Sequence, residues 1–255
     1  MHQGKWKGLL SASSLFDLHN GKSLSGEKDS MRQEIKIAAK ATVHDTLSAL
    51  NRPLAEWRFK RAIKNAQGPV LVSAGAGSRN LKGWLNTDIS WRASLYLDLT
   101  KSWPVPRGTV ARIYADNVIE HFSLKTGRKV FQCAFDVLQP GGIIRLATPD
   151  VERTVLAYLN DPALTAQHLD RHRRVGYDVH HPVDLLRVTF SECGHHVGFC
   201  YDLNSLSTEL ERVGFVDVKR VLPGQSEDPL LKNLEARMEP SEAATSLVVE
   251  ARRPH

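Results

Sequence analysis

Two periodicities divide the chain. Between residues 30 and 66 apolar side chains recur every four positions, at Met31, Ile35, Ala39, Val43 and Leu47, the spacing of one face of an amphipathic helix. Ser30 with Gln33 forms a capping-box pattern at its start. Pro53 marks the start of a second short helix carrying Leu54, Trp57 and Ile63. After Gly68-Pro69 the pattern changes to short apolar runs, as strands buried on both faces would give. Strands are expected at Val70–Val72, Trp84–Ile89, Ser94–Leu99, Val110–Ala115, Ile143–Thr148, Phe215–Val221 and Ser246–Ala251. Helices are expected after Ser123, ended by Gln139-Pro140-Gly141-Gly142, after Asp150, and from Asp202 to Gly214. Residues 161–200 read as irregular, polar and histidine-rich.

Strands alternating with helices imply an α/β fold with a mostly parallel sheet of seven strands, Rossmann-like, with helices on both faces. The domain reading is a basic helical extension over 1–66, followed by a main domain over 67–255 with an insertion at 161–200 on the acceptor side.

Charge supports that division. Residues 1–66 hold 12 Lys/Arg against 6 Asp/Glu, and the remainder holds 22 of each, so the extension accounts for the whole net charge of +6. A basic appendage is a means of touching an anionic partner such as nucleic acid, although no dense Lys/Arg run is present. Three cysteines, Cys133, Cys193 and Cys200, are too few for a disulfide scaffold and suit a reducing compartment. No apolar run reaches membrane-spanning length and no secretory leader is seen, so a cytoplasmic protein is expected.

The chemistry concentrates at the ends of the predicted strands. Ala74-Gly75-Ala76-Gly77-Ser78 is a glycine turn after a buried strand, where a missing β-carbon lets a ligand approach the backbone. Asp88 ends the next strand, placed to accept hydrogen bonds from ribose hydroxyls. It follows Gly77 by 11 residues, against about 20 in a dinucleotide fingerprint, which leaves no room for a crossover helix and disfavours a nicotinamide cofactor. His121, after Glu120 at the end of the fourth strand, is the leading general base. Asp150 ends the fifth strand and is placed either to touch an acceptor or to cap a helix. His180-His181 and His195-His196 lie in the irregular segment, with His181 and His196 as alternatives for acceptor contact. None of their spacings is a metal-ligand motif, so no metal is expected.

In their order, the glycine turn, Gly83-Trp84-Leu85-Asn86-Thr87-Asp88, Asp98-Leu99, Ile113 to His121, Leu138 to Gly142, Thr148-Pro149-Asp150 and Val213-Gly214-Phe215 resemble a class I methyltransferase dependent on S-adenosylmethionine (SAM). More narrowly they resemble a small bacterial group acting on envelope sugars or natural products. The resemblance covers about two thirds of the chain. It implies SAM as cofactor, with Gly75 and Gly77 facing its methionine part, Asp88 on the ribose, Asp98 on the adenine amino group, and Asn117 lining the transfer site. Ser73 stands where many class I enzymes carry an acid, so it offers a hydrogen bond and no charge; Ala76 replaces a frequent Cys. The expected reaction is O-methylation of a saccharide or other hydroxylated small molecule with a histidine base. The alternatives are methylation of RNA or protein through the basic extension, and a non-catalytic SAM-binding partner subunit.

Overall fold

The computed structural model describes residues 46, 53–89, 95–192, 195–235 and 238–255. The helix expected on Met31 to Leu47 lies outside the described residues, apart from Thr46, which is helical. The compact unit that carries the sheet begins at Asn51, upstream of the expected boundary at residue 66. The reason is packing: in the helix over residues 53–64 (α1), Phe59 is fully buried and Ile63 packs against the main core.

Seven strands form one sheet: β1 (Val70–Ala74), β2 (Leu85–Asp88), β3 (Leu95–Tyr96), β4 (Val110–Asp116), β5 (Leu138–Pro149), β6 (Val216–Val221) and β7 (Ser246–Arg252). Their spatial order is β3-β2-β1-β4-β5-β7-β6. The first five pair in parallel and β7 runs antiparallel to both its neighbours. All seven expected strands are present. The order reverses between β1 and β4, which opens a crevice at the carboxyl ends of these two strands.

The remaining helices are α2 (Leu124–Val137), α3 (Val151–Asn160), α4 (Pro162–Arg174), α5 (Asp184–Ser191), α6 (Leu203–Val213) and α7 (Pro240–Ala244). Ser123 caps α2, Asp150 caps α3, and Asp202 with Ser205 forms a capping box on α6. Gly214 ends α6 at φ +112°, a left-handed conformation that glycine adopts without a β-carbon penalty. Phe131, Ala134, Leu206 and Leu210 from α2 and α6 join Val72, Ile113, Ile144 and Val249 of the strands in the main core. On the opposite face Tyr114 and Ile143 are covered by Leu231 and Leu234, with Leu81 and Trp84 packed against them. Arg145, in mid-β5 and fully buried, ties that cover down. It donates to Glu235 at 2.8 and 2.6 Å and to Glu250 at 2.5 Å.

Two expectations differ from the structure. Gln139-Pro140-Gly141-Gly142 does not follow the end of α2 as a separate stop. The helix ends at Val137, and Leu138 already begins β5, so the Pro-Gly-Gly segment lies within the first residues of the strand. Residues 161–200 are not irregular but hold α4, α5 and a helical turn, His195–Val197. Asp161 caps α4, Pro162 stands in its first turn, and the buried face is Thr165, His168, Leu169 and His172. Three of those four side chains are polar, which hides the helical period from a hydrophobicity reading. Helices α3 to α5 share a small core of Ala157, Leu169, Leu185 and Val188.

Candidate active site

The glycine turn leaves β1 with Gly75 at φ +69° and Gly77 at φ +58°. Two hydrogen bonds lace it to β2. The Ala76 N–H donates to the Thr87 carbonyl and the Gly77 N–H donates to Asp88 Oδ2, both at 2.8 Å. Asp88 therefore shapes the turn as well as ending its strand. A β-carbon on Gly75 would stand 2.7 Å from Val118 Cγ2, whereas one on Gly77 would meet nothing within 4 Å. Val118 follows Asn117, the first residue after β4, which stands at φ +53°. A left-handed non-glycine residue is costly unless its surroundings fix it, and such residues cluster at functional sites. Here the Asn117 N–H donates to the Ala147 carbonyl at 2.9 Å.

These segments enclose a cavity of about 240 Å³ lined by Gly75, Asp88, Asp98, Asn117, Val118 and His121, among others. Five residues expected from the sequence thus meet in one place. Asp98 is nearly buried and accepts at Oδ1 from the Thr100 N–H (3.0 Å) and hydroxyl (2.7 Å). Gly77 borders the cavity only through its bond to Asp88. Ser73 does not line it; the residue is buried in β1, where its carbonyl accepts from the Thr87 hydroxyl at 3.0 Å.

A second cavity of about 390 Å³ adjoins the first and shares two of its lining residues, Asn117 and His121. Its other walls include His168, Arg171, His172, Tyr177, His195 and Thr245. Arg171 is ion-paired with Glu242 at 2.9 Å. His168 Nε2 lies 3.1 Å from the Thr245 hydroxyl. Burial, followed by Arg171, holds the His168 pKa below the ordinary histidine value. Burial, followed by the charges of His168, Arg171 and Arg187, pushes His172 down to about 4. Burial thus favours the neutral form of both α4 histidines.

His121 closes the turn Ile119–His121, half-buried between the two cavities. Its ring centroid lies 4.7 Å from that of His195. Burial first, and the neighbouring His195 second, lower its pKa and favour the neutral imidazole. Glu120 beside it is fully buried; its Oε2 accepts from the Thr148 hydroxyl at 3.0 Å, and burial pushes its carboxyl up to about 7. The His195 turn approaches this closely because residue 198 is glycine. A β-carbon there would fall 1.7 Å from the Glu120 carbonyl oxygen.

Two expected catalytic residues lie outside both cavities. Asp150 is fully buried, accepts from the Arg153 N–H at the start of α3, and is ion-paired with Arg220 at 2.6 Å, which makes it a structural cap. His181 is exposed beside His180, and its backbone N–H donates to Asp184 Oδ2 at 2.8 Å. His196 is exposed as well. Besides His121, the histidines that line the second cavity, His168, His172 and His195, carried no distinguishing signal in sequence. The only available cue was the i, i+4 spacing of His168 and His172, which puts them on one helix face.

No family model matches the chain, and no curated protein matches it. Among solved structures it is similar to a SAM-dependent methyltransferase from Archaeoglobus fulgidus, at 14% identity over 79% of this chain and 94% of that one, TM-score 0.44. It is also similar to an O-methyltransferase family protein from Burkholderia thailandensis, at 12% identity over 85% and 60%, TM-score 0.42. A third similarity is to a possible exported protein from Bordetella parapertussis, at 15% identity over 78% and 67%, TM-score 0.43. At these values the similarities carry no functional argument.

Proposed function

We propose that the chain is a SAM-dependent methyltransferase that methylates a hydroxyl of an uncharged small molecule or saccharide. The observation that carries this reading is the sharing of Asn117 and His121 by two adjoining cavities. A donor seated in the smaller cavity and an acceptor in the larger one would meet at these two residues. The smaller cavity offers what SAM needs, a backbone turn without β-carbons at Gly75 and two carboxylates, Asp88 and Asp98, at strand ends. The larger offers the imidazoles of His168 and His172, whose burial favours the neutral form, and one arginine already paired with Glu242, which favours hydroxyl groups over a phosphate.

In the reaction the acceptor oxygen attacks the sulfonium methyl in line. The S–CH3 bond breaks as the O–CH3 bond forms, the hydroxyl proton passes to neutral His121, and S-adenosylhomocysteine is left. The methyl donor is already activated, so alignment supplies much of the rate, and the base supplies a further factor of about 10² to 10⁴. Asp150 and His181 have no part in this scheme.

Calorimetry with SAM and with S-adenosylhomocysteine tests the first half. Binding of either at one site per chain is expected, weakened by Asp88→Ala and Asp98→Ala. For the second half, His121→Ala should lower turnover by at least about a hundredfold, the lower end of general-base catalysis, with SAM affinity kept. Full turnover in that variant would remove His121 from the mechanism.

A further inference from the structure

Glu120, His121 and His195 each present one ligand atom, a carboxylate oxygen or a ring nitrogen, and these atoms lie within 4.8 Å of one another. Three features make the cluster more than a chance meeting. First, Glu120 Oε1 is buried and without a hydrogen-bond partner, although its sister oxygen is satisfied by Thr148. An orphaned buried carboxylate oxygen is expensive unless something positive reaches it. Second, the His195 ring is oriented from behind. His195 Nδ1 lies 2.6 Å from the Thr189 carbonyl, which only accepts, so Nδ1 carries the proton and Nε2 keeps its lone pair. The His121 ring stands 4.7 Å from that of His195, centroid to centroid. A ring N–H held by a backbone carbonyl, with the other nitrogen left as a donor pair, is the arrangement metal-binding histidines use. Third, His121 and His195 both line the larger cavity, so an ion held there would be open to a ligand from that side.

We propose that Glu120, His121 and His195 bind one divalent transition-metal ion of the zinc class, with an open coordination position toward the larger cavity. Two imidazoles and a carboxylate are a donor set that zinc and other first-row ions accept with a vacant position. At bond lengths of about 2.0 to 2.1 Å, tetrahedral ligand atoms stand about 3.4 Å apart. Contraction from the present spacing falls to the half-exposed His195 turn, since Glu120 is fixed in the core. Binding of the ion is independent of the methyl-transfer reading. If both hold, the loaded protein uses His121 as a ligand, and a coordinated acceptor hydroxyl loses its proton to solvent more readily. The metal-free protein leaves His121 to take that proton directly.

The test uses the full chain, stripped with a chelator and titrated with Co²⁺ followed by absorption and with Zn²⁺ followed by calorimetry. One ion per chain is expected, with visible d–d bands and no thiolate charge-transfer band. His195→Ala should weaken binding at least a hundredfold, and His196→Ala, one residue along on the exposed side, should leave it unchanged. Glu120→Gln should weaken it too, and circular dichroism with thermal melts identifies variants that fail to fold. His195 is only half-buried, so its variant remains informative if Glu120→Gln unfolds. Absence of saturable binding, retention in His195→Ala, equal loss in His196→Ala, or a thiolate band showing that Cys200 is a ligand would each overturn the assignment. SAM binding measured on the same stripped samples reports on the methyl-transfer reading separately.

Discussion

Gly75→Ala adds one carbon at the point where the glycine turn crosses the end of β4. The position carries two separable costs. Its φ of +69° is left-handed, which strains any residue with a β-carbon by about 1 to 2 kcal/mol. The new carbon would also lie 2.7, 3.2 and 3.5 Å from three atoms of Val118. Val118 is β-branched and stiff at χ1, so it does not swing aside, and overpacking of this kind costs about 1 to 3 kcal/mol. Gly77 is the internal control, because at φ +58° it carries the backbone term while its β-carbon would meet nothing within 4 Å. Gly75→Ala should therefore destabilise by about 2 to 5 kcal/mol and Gly77→Ala by about 1 to 2 kcal/mol. Gly75 and Val118 line the same cavity, so the first variant should also weaken SAM binding tenfold or more, equal to about 1.4 kcal/mol. Urea denaturation gives the stabilities and calorimetry the affinities. Val118→Ala, made alone and combined with Gly75→Ala, completes a double-mutant cycle in which the double variant recovers the steric part and keeps the backbone part. Equal destabilisation by Gly75→Ala and Gly77→Ala, with no coupling to Val118, would refute the reasoning.

Two further outcomes follow from buried charge. His172 has its folded pKa lowered to about 4 from an ordinary 6.5, so below pH 6.5 the unfolded chain binds the extra proton and folding loses stability as pH falls. The loss is about 2 kcal/mol by pH 5 and about 3 kcal/mol at its limit below pH 4, and it is absent above pH 7. Thermal melts at pH 7 and pH 5 should show a smaller Tm drop for His172→Asn than for the natural chain; equal drops would place the acid sensitivity elsewhere. Glu235→Ala removes both Glu235 bonds from the fully buried Arg145 and should cost about 3 to 5 kcal/mol in urea unfolding. A loss under about 1 kcal/mol would mean that Glu250 alone satisfies the guanidinium.

The sheet was legible because parallel strands buried on both faces must be written as apolar runs, and Val70 to Val72 and Ile143 to Leu146 are such runs despite Arg145. The meeting of the strand-end residues around the smaller cavity was legible for a related reason. In a parallel sheet every loop that follows a strand emerges at the same edge, so Gly75, Asp88 and Asn117 are neighbours once their strands are found. The larger cavity was not, because part of its wall comes from α4, whose buried face is built largely of Thr165, His168 and His172.

Asp150 and His121 show the limit of strand-end reasoning. Both follow parallel strands, β5 and β4, and both are of a type that catalysis uses. What separates them is the partner each finds across the fold. Arg220 of β6, 70 residues further on, reaches Asp150 at 2.6 Å and commits it to structure. His121 meets His195, an imidazole that carries no formal charge while neutral, and so keeps a nitrogen for chemistry. That meeting depends on Gly198, whose missing β-carbon admits the His195 turn against Glu120. His195 and His196 are adjacent in sequence and equal in type, yet only His195 faces the cavity. The different fates of His121 and Asp150 are therefore set by one glycine contact and one ion pair. Both join segments far apart in the chain, and neither leaves a local pattern for a sequence reading to find.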